Sequence, residues 1–161
     1  MKRTGLFFAL IIVIGGLVGC RIASRENTGE QSAFKQNFSL GAMVARHPEL
    51  LLEGSLAASG VEAGPRAPFT QSQEYMVIQV EPANLMPLLT ALQSDLEETL
   101  STSGSTVLGY SGEMQPDPIA YLSYQYSEGP FYGTVNLWGL RGQGNTLTLI
   151  SEITESKGSQ K

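Results

Sequence analysis

Leu85, Leu88, Leu89, Leu92, Leu96 and Leu100 recur at three- and four-residue intervals. This stripe constrains the chain more than any other feature. On a helix, such spacing gathers the apolar side chains on one face, and that face needs a second layer to cover it. Asn84 is placed to cap the helix. Pro87 then falls in the first turn, where a missing N–H does little harm. Ser103-Gly104 closes it. Gln93, Asp95, Glu97 and Glu98 are expected to lie away from the covered stripe.

The flanking residues supply the second layer. Gln73–Val80 is rich in β-branched and aromatic residues and ends at Glu81-Pro82, as a strand does. Four more runs follow the helix: Thr106–Tyr110, Ile119–Tyr126, Phe131–Leu140 and Thr146–Thr154. In the second, Ala120, Leu122, Tyr124 and Tyr126 share a face. In the third, Phe131, Val135 and Leu137 lie opposite Tyr132, Trp138 and Leu140. In the fourth, Leu147, Leu149 and Ile153 alternate against Thr146, Thr148 and Glu152. Turns are expected at Gln115–Pro118, Ser127–Pro130 and Arg141–Asn145, links short enough for antiparallel hairpins. The order β-α-β-β-β-β predicts an α+β domain over residues 70–156, one helix packed on a curved antiparallel sheet of about five strands. Its general shape resembles helix-grip and cystatin-like folds, a likeness that carries no function by itself.

Charge divides the chain. Cations and anions balance between Arg21 and Phe69, whereas from Thr70 to Glu155 Arg141 alone opposes a series of carboxylates. Phosphate backbones and anionic lipid would repel such a domain, which argues against nucleic-acid binding. Residues 21–33 are polar and aperiodic and read as a tether. Phe34 and Phe38, four apart, and Leu50-Leu51-Leu52 mark a piece that docks on the domain. Gly54, Gly60, Gly64, Pro65 and Pro68 make residues 54–70 a loop. The expected linker is thus 20–69, partly ordered at most, with 157–161 as a tail. If 21–69 were flexible throughout, its r.m.s. reach would be roughly 35–42 Å.

The N-terminus has a different logic. Lys2 and Arg3 precede an apolar run from Gly5 to Gly19, the layout of a secretory signal. The run is short of the about 20 apolar residues that a spanning helix needs, and Arg21 ends it. It closes in Leu17-Val18-Gly19-Cys20, which resembles the lipobox of bacterial lipoprotein signal peptides. The resemblance covers residues 1–20. It implies a diacylglyceryl group on the Cys20 thiol, cleavage between Gly19 and Cys20, and an acyl chain on the new N-terminus. No other cofactor is expected. Each buried CH₂ of such chains contributes ~0.8 kcal/mol, and two or more chains anchor stably. Cys20 is the only cysteine, so no internal disulfide can form. The resemblance implies a cell-envelope protein, lipid-anchored at a membrane. Arg21 is not the Asp that resembles an inner-membrane retention signal, so the expected site is the outer membrane in a Gram-negative source. Otherwise it is the outer face of the plasma membrane.

Chemistry is sparse in the rest. His47, the only histidine, precedes Pro48 with no second ligand or nucleophile near it in sequence, which supports neither a triad nor a zinc site. Gly142-Gln143-Gly144 lies between two strands and opens no helix, so it reads as a hairpin turn and not a phosphate loop. Glu113 and Asp117 flank Pro116 without the spacing of a calcium loop, and stand as the carboxylates of a candidate hydrolase. Asn37-Phe38-Ser39 matches a glycosylation sequon. No catalytic residue and no metal site are assigned. The aromatic strands are the lead: alternation sends Tyr121, Tyr132 and Trp138 to the face away from the helix, where amphipathic rings suit a partner surface. A tethered binding or assembly module is the expected function, with an envelope protein or a glycan as partner. A passive structural lipoprotein is the other reading.

Overall fold

The computed structural model describes residues 30–53, 57–66, 69–114 and 119–158, and of 57–66 and 69–71 the backbone alone. Two short helices come first, α1 (Ala33–Asn37) and α2 (Leu40–Val44), followed by a single 3-10 turn at Pro48–Leu50. Strands β1 (Ala57–Arg66) and β2 (Phe69–Gln79) lead into α3 (Pro82–Thr102). Then come β3 (Thr106–Glu113), β4 (Ile119–Glu128), β5 (Phe131–Arg141) and β6 (Thr146–Lys157). The six strands form one antiparallel sheet in the order β1-β2-β6-β5-β4-β3. The α+β fold with one main helix on an antiparallel sheet is therefore present. Its expected strands are β2 to β6, and β1 extends them at one edge.

Helix α3 buries Leu85, Leu88, Leu89, Leu92, Leu96 and Leu100 against the sheet, as their spacing requires. It begins earlier than expected, with Glu81 as N-cap and Pro82 at the first position, where proline's fixed φ suits a helix start. Asn84 is therefore inside the helix and not its cap, and Pro87 sits beyond the first turn. The C-terminus closes as the sequence indicates. Gly104 takes φ +76, and the N–H groups of Ser105 and Gly104 donate to the carbonyls of Leu100 and Ser101, a Schellman pair. Asp95, expected on the open side, is buried, because residues 46 and 47 lie over it.

Two further differences concern the segment before α3. Residues 54–70 were expected to be loop, yet Ala57–Arg66 pairs with β2, from Ala57↔Val77 to Arg66↔Phe69. Pairing with a long β2 supplies the order that a glycine- and proline-containing sequence lacks. Pro65 fits because an edge strand has one ladder side free and proline donates nothing. Residues 32–51 pack on the domain: Phe34, Leu40 and Val44 are fully buried and join the core, with Leu50 and Leu51 against it.

Carboxylates of the acidic domain hold this segment down. The Ser32 N–H donates to Glu155 Oε1 at 3.1 Å, Ala33 and Phe34 donate to Glu128 at 2.6 and 3.0 Å, and Leu40 donates to Glu74 at 2.9 Å. The first N–H groups of a helix have no partner within it, and a carboxylate there also faces the favourable end of the helix dipole. Part of the domain's acidity thus serves packing.

Candidate functional site

Strict alternation gives the sheet two unlike faces. On the helix side, Ala120, Leu122, Tyr124 and Tyr126 of β4, Val135 and Leu137 of β5, and Leu147, Leu149 and Ile153 of β6 are buried. Tyr126 lies over Gly133, where a Cβ would come within 2.5 Å of the ring, so only glycine leaves room. Its hydroxyl donates to the buried Glu155 at 2.9 Å. Burial, more than its neighbours' charge, raises the Tyr126 hydroxyl well above the ordinary tyrosine range. Burial raises Tyr124 in the same way, with its hydrogen bond to Glu97 adding to the effect.

On the other face the register builds a row. Tyr121 is paired with Trp138, Trp138 with Ile150, and Ile150 with Tyr75, across β4, β5, β6 and β2. At the usual strand spacing this row is about 14–15 Å long. The Tyr121 and Trp138 rings lie 5.8 Å apart, tilted by 35°. The Tyr121 hydroxyl donates to Asn136 Oδ1 at 3.3 Å, which holds the ring over the sheet. A second row, Ile119–Leu140–Thr148–Val77, lies beside the first. On the other side runs the polar row Ser123–Asn136–Glu152–Gln73. Tyr75 is 44% exposed, Ile119 47% and Val77 39%. No described helix covers this face, since α1, α2 and α3 pack on the other.

The structure brings two of the three expected aromatics together and leaves the third apart. Tyr132 is exposed, but it is six residues from Trp138 along β5, about 20 Å away, between Ser127 and Ser156. Tyr75, Val77 and Ile150 join the patch instead. Alternation in Tyr75–Val80 places Tyr75 opposite Met76, Ile78 and Val80, but its place beside Ile150 comes from β2–β6 pairing between distant segments.

His47 has a partner far along the chain. Its Nε2 lies 3.0 Å from Asp95 Oδ2, and Arg46 reaches Asp95 at 3.4 Å and Glu98 at 3.5 Å. A histidine–aspartate pair is part of a triad only if the other ring nitrogen faces a nucleophile. Here Nδ1 faces Glu49 at 3.8 Å, so the cluster reads as a pin between the 3-10 turn and α3. Its members are far apart in sequence, and neither residue alone signals the pair. Among the described residues no group of three or more His, Cys, Asp or Glu is placed to hold a metal. Glu113 ends the edge strand β3, exposed; Asp117 and the turn 115–118 lie outside the described residues, as do the leader, Gly19 and Cys20. Gly142–Gly144 forms the hairpin turn, with Gly144 at φ +63. No described helix is long and apolar enough to cross a membrane.

No protein-family model and no curated protein matches the chain. Among the solved structures that resemble it loosely are two of low TM-score. One is LpqN, involved in cell envelope biogenesis of Mycobacterium tuberculosis, 10% identical, covering 65% of this chain and 75% of that one at a TM-score of 0.27. The other is a thioesterase family protein from Silicibacter pomeroyi, 8% identical, covering 73% of this chain and 99% of that one at a TM-score of 0.23. At such TM-scores neither likeness bears on function.

Proposed function

We propose that this chain is an exported lipoprotein, held at a membrane through lipid on Cys20, whose domain binds an envelope protein on its open sheet face. The row Tyr121–Trp138–Ile150–Tyr75, half-buried up to the exposed Tyr75 and lying beside a second row with Ile119 and Val77 exposed, carries the reading. Two adjacent apolar rows need a partner surface that removes both from water, which favours a protein over a single glycan chain. The basic-plus-apolar leader and Leu17-Val18-Gly19-Cys20 support the anchor.

Geometry also bears on what this face meets. The chain enters the domain where Glu30 pairs with Lys157 and Ser32 with Glu155, at one end of β6. The apolar rows cross β6 at Thr148 and Ile150, toward its other end, roughly 25–30 Å away. Residues 20–29, fully extended, span at most about 36 Å. A lipid on Cys20 would hold the domain near the membrane, and a tether of this reach, longer than the distance from entry to rows, leaves the open face able to turn toward a partner in the envelope.

Two measurements test this. A fatty-acid analogue is expected to label the wild-type chain and not Cys20→Ala; persistent labelling of the variant overturns the anchor. Purification from solubilised envelope is expected to recover a partner with the wild type that Trp138→Ala loses. Equal recovery overturns the binding face, and capture on an immobilised envelope glycan with no protein partner reassigns the ligand.

A further inference from the structure

Charge is divided between the two sides of the sheet. Every lysine, arginine and histidine whose side chain is described lies on the helix side. Lys35, Arg46 and His47 belong to the segment packed there. Arg141 is paired with Leu147 and Lys157 with Phe131, and alternation puts both on the side where Leu147 and Phe131 are buried. Arg66, of which the backbone alone is described, is paired with Phe69, six residues and about 20 Å along β2 from Tyr75. Acids of the helix side have partners there. Glu74, Glu128 and Glu155 hold the N-terminal segment, Asp95 and Glu98 meet Arg46, and Glu97 accepts from Tyr124.

The open face carries the opposite set. Glu113 is exposed and stands directly opposite Tyr121, at the β3 end of the aromatic row. Glu152 is half-buried in the polar row, one diagonal step from Trp138. Residues directly opposite across two strands touch, and diagonal ones lie about 7–8 Å apart. The two acids therefore bracket the Tyr121 and Trp138 rings, at positions roughly 16 Å from each other at ordinary strand spacing.

Rings and carboxylates together select the sign of whatever covers them. An anionic surface would bring like charge onto both glutamates. A purely apolar one would strip water from them and return no counter-charge. A cation is favoured twice, by the carboxylate and by the ring face beside it. We infer that the partner protein presents a basic strip, with lysine or arginine side chains on both sides of an apolar centre and their charged heads roughly 16 Å apart. This rests on the open face being the binding surface. A second copy cannot supply the strip from its own open face, which has the same two acids, and anionic lipid has the wrong sign.

Trp138 is the only tryptophan, so its emission reports what covers the row. The full-length chain in non-ionic detergent is titrated with two synthetic peptides of equal length, one alternating arginine and valine, the other glutamate and valine. The arginine peptide is expected to shift the emission to saturation, and the glutamate peptide to leave it unchanged. Glu113→Lys combined with Glu152→Lys should weaken the arginine peptide roughly tenfold or more. Added salt should weaken it in the wild type more than in that variant. Glu98→Lys, an equal change of charge on the helix side, should alter the affinity by less than about twofold. Glu113→Lys alone serves if the double variant does not accumulate. An equal response to both peptides, a response to neither, or a loss as large in Glu98→Lys would each overturn the basic strip. Recovery of the envelope partner separates this inference from the reading beneath it. A partner lost with Trp138→Ala and kept with Glu113→Lys/Glu152→Lys refutes the strip and leaves the binding face standing.

Discussion

The two faces of the sheet are made by the same alternating strands and differ in what becomes of their polar and aromatic groups. On the helix side every large apolar side chain of β4 and β6 is covered, and polar groups buried there are paired: Tyr126 and Ser32 on Glu155, Tyr124 on Glu97. On the open side Tyr121, Trp138, Ile150 and Tyr75 line up without a described element above them. The first face is organised for folding. The second leaves its rings partly exposed, Tyr75 the most, where they contribute less to folding and remain available to a partner. Substitutions on the two faces should therefore have separable consequences.

The largest expected effect is on the covered face. Phe34 is fully buried against Tyr126 and Phe38, with ring centroids 4.8 and 5.7 Å away. Phe34→Ala should cost about 3–5 kcal/mol in denaturant unfolding. A loss under about 1 kcal/mol would mean that α1 is not part of the core. Next comes Glu155→Gln. It removes the charge that accepts from Ser32 and Tyr126 in a buried site, and should cost about 1–3 kcal/mol. The same substitution at exposed Glu113 should cost within ~0.5 kcal/mol.

Alkaline pH gives a smaller effect with a definite sign. Tyr124 and Tyr126 have folded-state values raised by burial. In the unfolded chain both lose their protons near the ordinary value of about 10, before the folded chain does. The folded state then holds more protons, so stability present below pH about 10 is lost above it. Burial lowers Lys35, which acts in the opposite sense as pH rises toward its ordinary value. Melting temperatures should begin to fall near pH 10, and fall less steeply in Tyr126→Phe. A melting temperature unchanged well above pH 10 would contradict the burial of these hydroxyls. On the open face Trp138→Ala loses the Tyr121 ring contact, about 0.5–1.5 kcal/mol, together with the area the half-buried indole covers, and should still cost less than Phe34→Ala. A loss as large as that of Phe34→Ala would erase the distinction between the faces.

How much of this was legible in the sequence follows from the range of each interaction. The α3 stripe, its Gly104 closure and the alternation of β4, β5 and β6 are local patterns, and each is present. Strand β1 was not legible, because its order comes from pairing with β2 and not from its own residues. The docking of α1 and α2 was only partly signalled. Ser32 and Ser39 cap the two helices, and Phe34, Leu40, Met43 and Val44 have the spacing of one buried side. The carboxylates that pin them lie far along the chain. Tyr121 and Trp138 were legible as outward residues; their union with Tyr75, and the isolation of Tyr132, required the register.

The most direct test of the open face is site-specific photo-cross-linking in the intact envelope, with a photoreactive amino acid at Val77, Trp138 or Tyr132 in turn. The account predicts that positions 77 and 138 yield one common adduct with another envelope protein, and that position 132 yields none of it. An adduct shared equally by position 132, or none from 77 and 138, would contradict the assignment of the Tyr121–Trp138–Ile150–Tyr75 row as the binding surface.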